Sequence, residues 1–390
     1  MKTRCTVIKL NLQFHEESAI FSVDTMEKDG KTIIATAGGD KAVRLWEYEY
    51  TGEEPKEEFE YKTALSEGCK INHIFTLVKH KGSVNTLQFS RDGRYLITGG
   101  DTGTVFLWDM EKILQSTSME EDKKYEGQPV LVREADNSDI YEVKWFNDRI
   151  IVGTSTGRVE QYTITHPSTG ENEKTSEKES GDKENSASKE KKANASSVKI
   201  RVIEEYAPTV IAKCISSKQS HKDVVQGIAC TDKIFATFGN DRVVKIFSES
   251  GKIIQKLSKR SLITDKHTLF FRRLSFTEDG SLYLPSGAYE GKHTVHLLSP
   301  PGYTVTQTIQ AFPSSTVCTH STTDFLVVSE GRNVYLFSKP AHTLLFRILD
   351  CAFLPITDIK TIRETRDSLS LIISSSDGFL TNIIIFCGVD

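Results

Sequence analysis

Tyr95-Leu96-Ile97-Thr98-Gly99-Gly100-Asp101-Thr102-Gly103-Thr104-Val105-Phe106-Leu107-Trp108-Asp109 carries the pattern that decides the fold. An apolar run closes on small residues, a Gly/Asp turn follows, and a second run opens on a β-branched residue and ends on a large aromatic one. That is the sequence form of a β-hairpin. The second run recurs along the chain at Val43 to Trp46, Val159 to Tyr162, Val244 to Phe247, Val295 to Leu298, Val334 to Phe337 and Leu380 to Ile383. Its upstream partner recurs at Ile33 to Asp40, Ile234 to Asp241 and Leu371 to Gly378. A third strand precedes the hairpins, as at Val84 to Phe89, Ile140 to Trp145 and Arg273 to Phe276, with Asp-Gly turns at Asp92-Gly93 and Asp279-Gly280. Three strands and an outer fourth, repeated through residues 1–390, predict an all-β fold, a single seven-bladed β-propeller. One such sheet cannot bury both faces alone, whereas seven packed radially can. Thr6 to Leu12 reads as a strand ahead of the first unit, and the last unit ends after its third strand near Phe386. The N-terminal strand is therefore expected to complete the last blade and close the ring.

Composition sets the function class. Hydrophobic residues are 38% of the 390 and charged residues 26%, with 49 basic against 53 acidic side chains. That is a globular balance and not the basic one of a nucleic-acid binder, so no direct sequence-specific nucleic-acid binding is expected. No stretch reaches the roughly 18 to 20 apolar residues of a membrane helix, and the opening segment alternates like a strand, so an intracellular protein without membrane association is expected. Seven scattered cysteines without a CxxC pair read as reduced thiols. There is no Gly-rich phosphate loop after a strand, no HExxH, no GxSxG and no EF-hand loop, so neither enzyme activity, nor a metal, nor a cofactor is expected.

Endings such as Leu107-Trp108-Asp109 make the units resemble WD repeats. His15, His80 and His221 precede the inner strands at the place of the WD-repeat Gly-His pair, while Asp40 and Asp241 precede Trp46 and Phe247 as turn aspartates. With Trp46 and Trp108 these residues read as a hydrogen-bonding network inside the blades rather than as ligands or catalysts. In blade two, Thr102 holds the aspartate offset, with Asp101 one earlier. Blade three lacks an equivalent and is expected to be the softest part of the ring.

The inserts point to partners. Residues 47–67, after blade one, carry eight glutamates, Glu53, Glu54, Glu57, Glu58 and Glu60 among them, against Lys56 and Lys62. Residues 166–197, within blade three, contain no Ile, Leu, Met, Val, Phe, Tyr or Trp and read as a disordered loop. With the smaller Glu120-Glu121-Asp122 patch they follow third strands and so share one face. The acidic insert reads either as a face for a basic partner or as a solvated loop. Positive charge gathers at Lys252, Lys256, Lys259, Arg260, Lys266, Arg272 and Arg273. Phe270-Phe271-Arg272-Arg273 has the composition of an interface anchor, the alternative being that the rings plug a blade junction and the arginines are solvated.

Longer phrases are more specific. Phe270 to Leu282 followed by Pro285-Ser286-Gly287 resembles the fifth blade of the middle, WD-repeat subunit of chromatin assembly factor 1. Val225-Gln226-Gly227 with Asp241 to Phe247 resembles its fourth blade, Ile356 to Ile359 with Ile373 to Phe379 its last, and Gly38-Gly39-Asp40 through Trp46 its first. The resemblance implies a non-enzymatic nuclear subunit of a histone chaperone that deposits H3–H4 on replicating DNA. It implies as partners the large subunit, the small WD-repeat histone-binding subunit, and histones H3–H4 through indirect or weak contact. Family members carry a further tail with a basic motif that engages the anti-silencing-function chaperone; the sequence runs to Asp390 and that contact is not carried over. The alternatives are an HIR-type replication-independent chaperone propeller and a generic adaptor such as a ubiquitin-ligase substrate receptor.

Overall fold

The structure, a computed structural model, describes residues 2–10, 14–51, 68–116, 123–125, 127–165, 210–258 and 269–389. Seven sheets follow one another along the chain, each with four antiparallel strands, the first with a short parallel fifth. From inner to outer strand, blade one is Ile20–Lys28, Lys31–Gly38, Ala42–Tyr50 and Cys69–Val78; blade two is Val84–Phe89, Tyr95–Gly100, Val105–Asp109 and Val130–Arg133; blade three is Ile140–Phe146, Arg149–Thr154, Arg158–Thr165 and Ile211–Gln219. Blade four is Val225–Cys230, Ile234–Gly239, Val243–Ser248 and Ile253–Leu257; blade five is Ser275–Phe276, Leu282–Tyr289, Lys292–Ser299 and Thr304–Phe312; blade six is Thr316–Ser321, Phe325–Glu330, Asn333–Ser338 and Leu344–Ile348. In blade seven Ile356–Glu364, Ser368–Ser375 and Leu380–Val389 are completed by Lys2–Leu10, paired from Leu10 opposite Leu380 to Lys2 opposite Val389. Every recurring phrase lies in a third strand, and the N-terminal strand closes the ring as expected.

The core is divided among the blade interfaces. Each neighbouring pair shares one apolar cluster: Leu45 and Phe75 meet Leu87 and Trp108 between blades one and two, and Ile8, Leu10 and Ile384 meet Val23 and Ile34 between blades seven and one. Strand alternation explains this, because the middle strands bury both faces, one against each neighbour.

The inner strands share a second feature. A register shift at the start of each of five of them skips one residue: Phe21, Asn85, Tyr141, Gln226 and Thr357. A bulge releases its residue from the ladder and turns the carbonyl elsewhere. The carbonyls of Phe21, Asn85 and Thr357 accept from one arginine side chain, and that of Gln226 accepts from a backbone N–H of blade five.

Part of the acidic insert belongs to a strand. Glu47 and Glu49 lie in Ala42–Tyr50, where Glu47 accepts from the Lys31 ammonium at 3.0 Å. Glu53, Glu54, Glu57, Glu58 and Glu60, the patch Glu120 to Asp122 and residues 166–197 lie outside the described residues.

Candidate partner-binding site

Residues 269–274 run from the rim to the axis before the short inner strand of blade five. Phe270 is 69% exposed, whereas Phe271, Arg272 and Arg273 are buried. Of the four residues with anchor-type composition, one ring is exposed and three side chains are buried. The physical reason is the destination of Arg273. Its guanidinium pairs with the Glu142 carboxylate of blade three and lies 3.8 Å from Asp358 of blade seven. It also donates to the bulge carbonyls of Phe21 at 3.0 Å, Asn85 at 3.3 Å and Thr357 at 3.4 Å. Backbone bonds finish the circuit: Arg272 N donates to Gln226 O of blade four at 3.0 Å, and Arg273 N to Val317 O of blade six at 2.9 Å. One dipeptide of blade five therefore ties in all six other blades. Arg272 stacks its guanidinium 4.7 Å from the Phe238 ring. The close approach at blade four requires a glycine, since a Cβ on Gly227 would sit 1.8 Å from Arg272 O.

Around Arg273 the axis holds matched charges. Glu142 also accepts from Thr86 Oγ1 at 3.1 Å and pairs with Lys144 at 2.8 Å, while Asp358 accepts from Ser22 Oγ at 2.9 Å and Lys360 lies 3.7 Å from Asp24. Burial alone would push the Asp358 carboxyl up; Arg273, then Lys360 and Lys144, outweigh it and hold the group below the usual carboxylate range. Burial likewise opposes the Arg273 cation, and Glu142 and Asp358 hold it protonated. These residues went unread in the sequence. Their signal was a charge inside an apolar inner strand, as in Tyr141-Glu142-Val143 and Thr357-Asp358-Ile359.

The mouth above this plug is aromatic and acidic. The Phe271 ring centroid is 5.9 Å from that of Phe21 and 6.3 Å from that of Tyr141. Burial, with the charges of Asp139, Asp101 and Asp223, raises the Tyr141 phenol above its ordinary range. Phe270 precedes Phe271 in the chain and turns its ring to solvent. Lys259 and Arg260, the flanking cations of the expected site, lie outside the described residues, as does Lys266. Lys252 and Lys256 belong to the outer wall of blade four, where Lys256 sits in the last strand.

The histidines hydrogen-bond within their blades. His15 donates from Nδ1 to Asp40 at 2.6 Å, and its Nε2 meets Thr36 Oγ1 at 2.9 Å, which also accepts the Trp46 indole N–H at 3.0 Å. Blade two repeats the chain through His80, Thr98 and Trp108, at 2.8 and 3.0 Å. There Thr104, rather than Thr102 or Asp101, meets His80 Nδ1 at 3.3 Å, and Asp101 accepts from Asn85 instead. In blade four His221 meets Asp241 at 3.1 Å and Thr237 at 2.8 Å, and Phe247 replaces the tryptophan. Blade three has a different tie to its neighbour: Arg133 of blade two donates to the buried Glu160 at 2.8 Å, and Tyr162 donates to the same oxygen at 2.8 Å. Among the described residues no cluster of His, Cys, Asp and Glu is arranged to hold a metal.

A pH dependence follows. Burial lowers the His80 pKa to about 3, and burial with the Lys360 charge lowers that of His320 to about 4. In the unfolded chain both return to about 6.5, so below that pH the unfolded state binds more protons. Stability present at neutral pH is lost as pH falls through this window, by roughly 1.4 kcal/mol per pH unit per histidine. The urea midpoint is expected to drop between about pH 7 and about pH 5, and His80→Gln to narrow the difference. A midpoint that does not move with pH would contradict this account.

The comparisons with known proteins concern the fold and the sequence. The family model described as WD domain, G-beta repeat matches residues 7–47 and 71–109. The solved WD40 beta propeller domain of Doa1 superposes with a TM-score of 0.61, covering 98% of this chain and 97% of that one at 15% identity. The fold is a seven-bladed β-propeller like that of WD40 domains. Within that fold the chain is similar to a Chromatin assembly factor 1 subunit of Gallus gallus, 29% identical over 310 residues, 74% of this chain and 46% of that protein. The corresponding protein of Mus musculus is 26% identical over 310 residues, again 74% and 46%. Protein HIR1 of Kluyveromyces lactis is 25% identical over 290 residues, 72% of this chain and 28% of that one. The propeller thus spans about half the length of the chromatin assembly factor proteins it matches. The likeness read from the blade phrases extends over most of its sequence.

Proposed function

We propose that this propeller is a non-enzymatic, nuclear scaffold subunit of a histone chaperone, supporting deposition of H3–H4 on newly replicated DNA. The observation that carries the reading is the match to the Chromatin assembly factor 1 protein of Gallus gallus along 310 residues. The large chaperone subunit docks with Phe270 as its anchor, since an exposed aromatic ring is the usual form of an interface hot spot. The small WD-repeat histone-binding subunit joins the same assembly. Histones contact this propeller weakly, drawn by the acidic mouth of Asp101, Asp139 and Asp223.

Affinity purification of the tagged chain from dividing cells, with mass spectrometry of what stays bound, tests this. Recovery of a large chaperone subunit with H3 and H4 is expected, and Phe270→Asp is expected to cut the large-subunit yield by on the order of tenfold. Wild-type recovery by that variant would move the docking site elsewhere. Recovery of HIR-complex subunits instead would favour the replication-independent assembly, to which the HIR1 match also points. A ligase core without histones would overturn the reading.

A further inference from the structure

The outer strands of blades three and four, Ile211–Gln219 and Ile253–Leu257, each form a sheet edge. Neither contains an acidic residue, and together they hold Lys213, Lys218 and Lys256. They expose Ile211, Ile215, Ile253 and Ile254 to about half their surface.

Strand register shows how these side chains face. In blade three Val159 packs against blade four, in one cluster with Phe235 and Phe247. Paired residues share a face and alternate residues repeat it. Lys218, opposite Val159, therefore faces blade four, as do Lys213 and Ile211, opposite Thr163 and Thr165. In blade four Phe247 packs towards blade three, and its partner is Ile253. Lys245, two residues before Phe247, is paired with Lys256, so both also face blade three. The two outer strands are the walls of one cleft, with isoleucine and lysine on each.

The positive charge in the cleft lacks a counterpart. Burial, then the Lys256 charge, lowers the Lys245 pKa, with Asp241 opposing. Asp241 is engaged by His221 and the Lys222 N–H, and Glu249 by Arg149. Among the described residues no carboxylate pairs with Lys213, Lys218 or Lys256. The edge itself offers unpaired backbone donors and acceptors.

Elsewhere the ring fills such an edge from its own chain. At blade one Lys124–Tyr125 adds a fifth, parallel strand beside Thr76 and Leu77 of the outer strand. We propose that the cleft between blades three and four binds an extended acidic segment of a partner protein, its aliphatic residues alternating with Asp or Glu, added as a strand to the Ile211–Gln219 edge. Main-chain bonds to the edge supply affinity, the isoleucines take the aliphatic side chains, and the lysines meet the carboxylates. A nucleic acid fits less well, since isoleucines separate the lysines and neither strand offers an aromatic ring or an arginine for stacking. This inference is independent of the chaperone reading.

The test uses the full chain and a fluorescent peptide of alternating glutamate and valine, read by anisotropy. A lysine-valine peptide and a single-stranded oligothymidine serve as comparators. The acidic peptide is expected to bind at least about tenfold tighter than the basic one, with protection from hydrogen exchange confined to residues 211–219. The triple variant Lys213→Glu, Lys218→Glu, Lys256→Glu is expected to lose that preference, and Ile211→Ser with Ile253→Ser to weaken binding several-fold. Lys292→Glu on blade five is expected to change nothing. Retained binding by a folded triple variant, equal loss with Lys292→Glu, or a preference for the oligothymidine would overturn the proposal.

Discussion

Arg273→Met is expected to destabilise the propeller by about 3–5 kcal/mol, the cost of removing one partner from a buried ion pair. The cost comes from what stays behind. Glu142 is fully buried and Asp358 nearly so; without the guanidinium the first keeps only Lys144 as a cation and the second loses the charge that most lowers its pKa. The bulge carbonyls of Phe21, Asn85 and Thr357 lose their donor as well. Against a typical domain stability of roughly 5–15 kcal/mol such a loss removes much of the margin. Arg273→Lys keeps the charge but not the planar fork and should fall between wild type and Arg273→Met. Chemical denaturation of Arg273→Met, Glu142→Met and the double variant completes a cycle, in which the double variant should cost less than the sum of the singles. Additive losses, or an Arg273→Met midpoint equal to wild type, would show that the axial pair does not hold the ring.

The axis also marks the limit of what the sequence discloses. Hairpins are legible because a strand alternates with period two and a tight turn needs particular residues, so Tyr95 to Asp109 announces two strands and their join. Closure is legible because seven units with a strand missing at one end and a spare strand at the other have one economical solution. Arg273, Glu142 and Asp358 come from blades five, three and seven, and no local spacing relates them. Phe270-Phe271-Arg272-Arg273 has the composition of a surface anchor, yet three of its four side chains turn inward because the channel supplies carboxylates and bulge carbonyls from distant strands. Glu47 and Glu49 are the converse case. Counted as charge they belong to an acidic insert, but Trp46-Glu47-Tyr48-Glu49-Tyr50 alternates, and that alternation places them in a strand.

Removing Lys2–Leu10 is the second change with a large expected effect: the truncated chain should not yield a stable monomeric fold. This strand is the outer member of blade seven, contributed from the opposite end of the sequence, so its loss does more than shorten a sheet. Ile8 and Leu10 leave the cluster that joins blades seven and one, at roughly 1.5–3 kcal/mol for each buried side chain. Leu380–Val389 is left as a long open edge rich in isoleucine, the kind that pairs with other chains. Phe14, packed edge-on to Trp46 with centroids 4.7 Å apart, loses the strand that leads into it, and with it the support of the His15, Thr36 and Trp46 network. Size-exclusion chromatography should show aggregation, and a synthetic peptide of residues 1–14 added during refolding should restore the monomer by occupying the vacant edge. A truncated chain that melts at the wild-type temperature would mean that the inter-blade clusters alone close the ring and that the N-terminal strand is an ornament on it. The non-local pairing predicts otherwise, because Lys2–Leu10 runs on into blade one, and only its pairing with Leu380–Val389 joins the two ends of the ring inside blade seven.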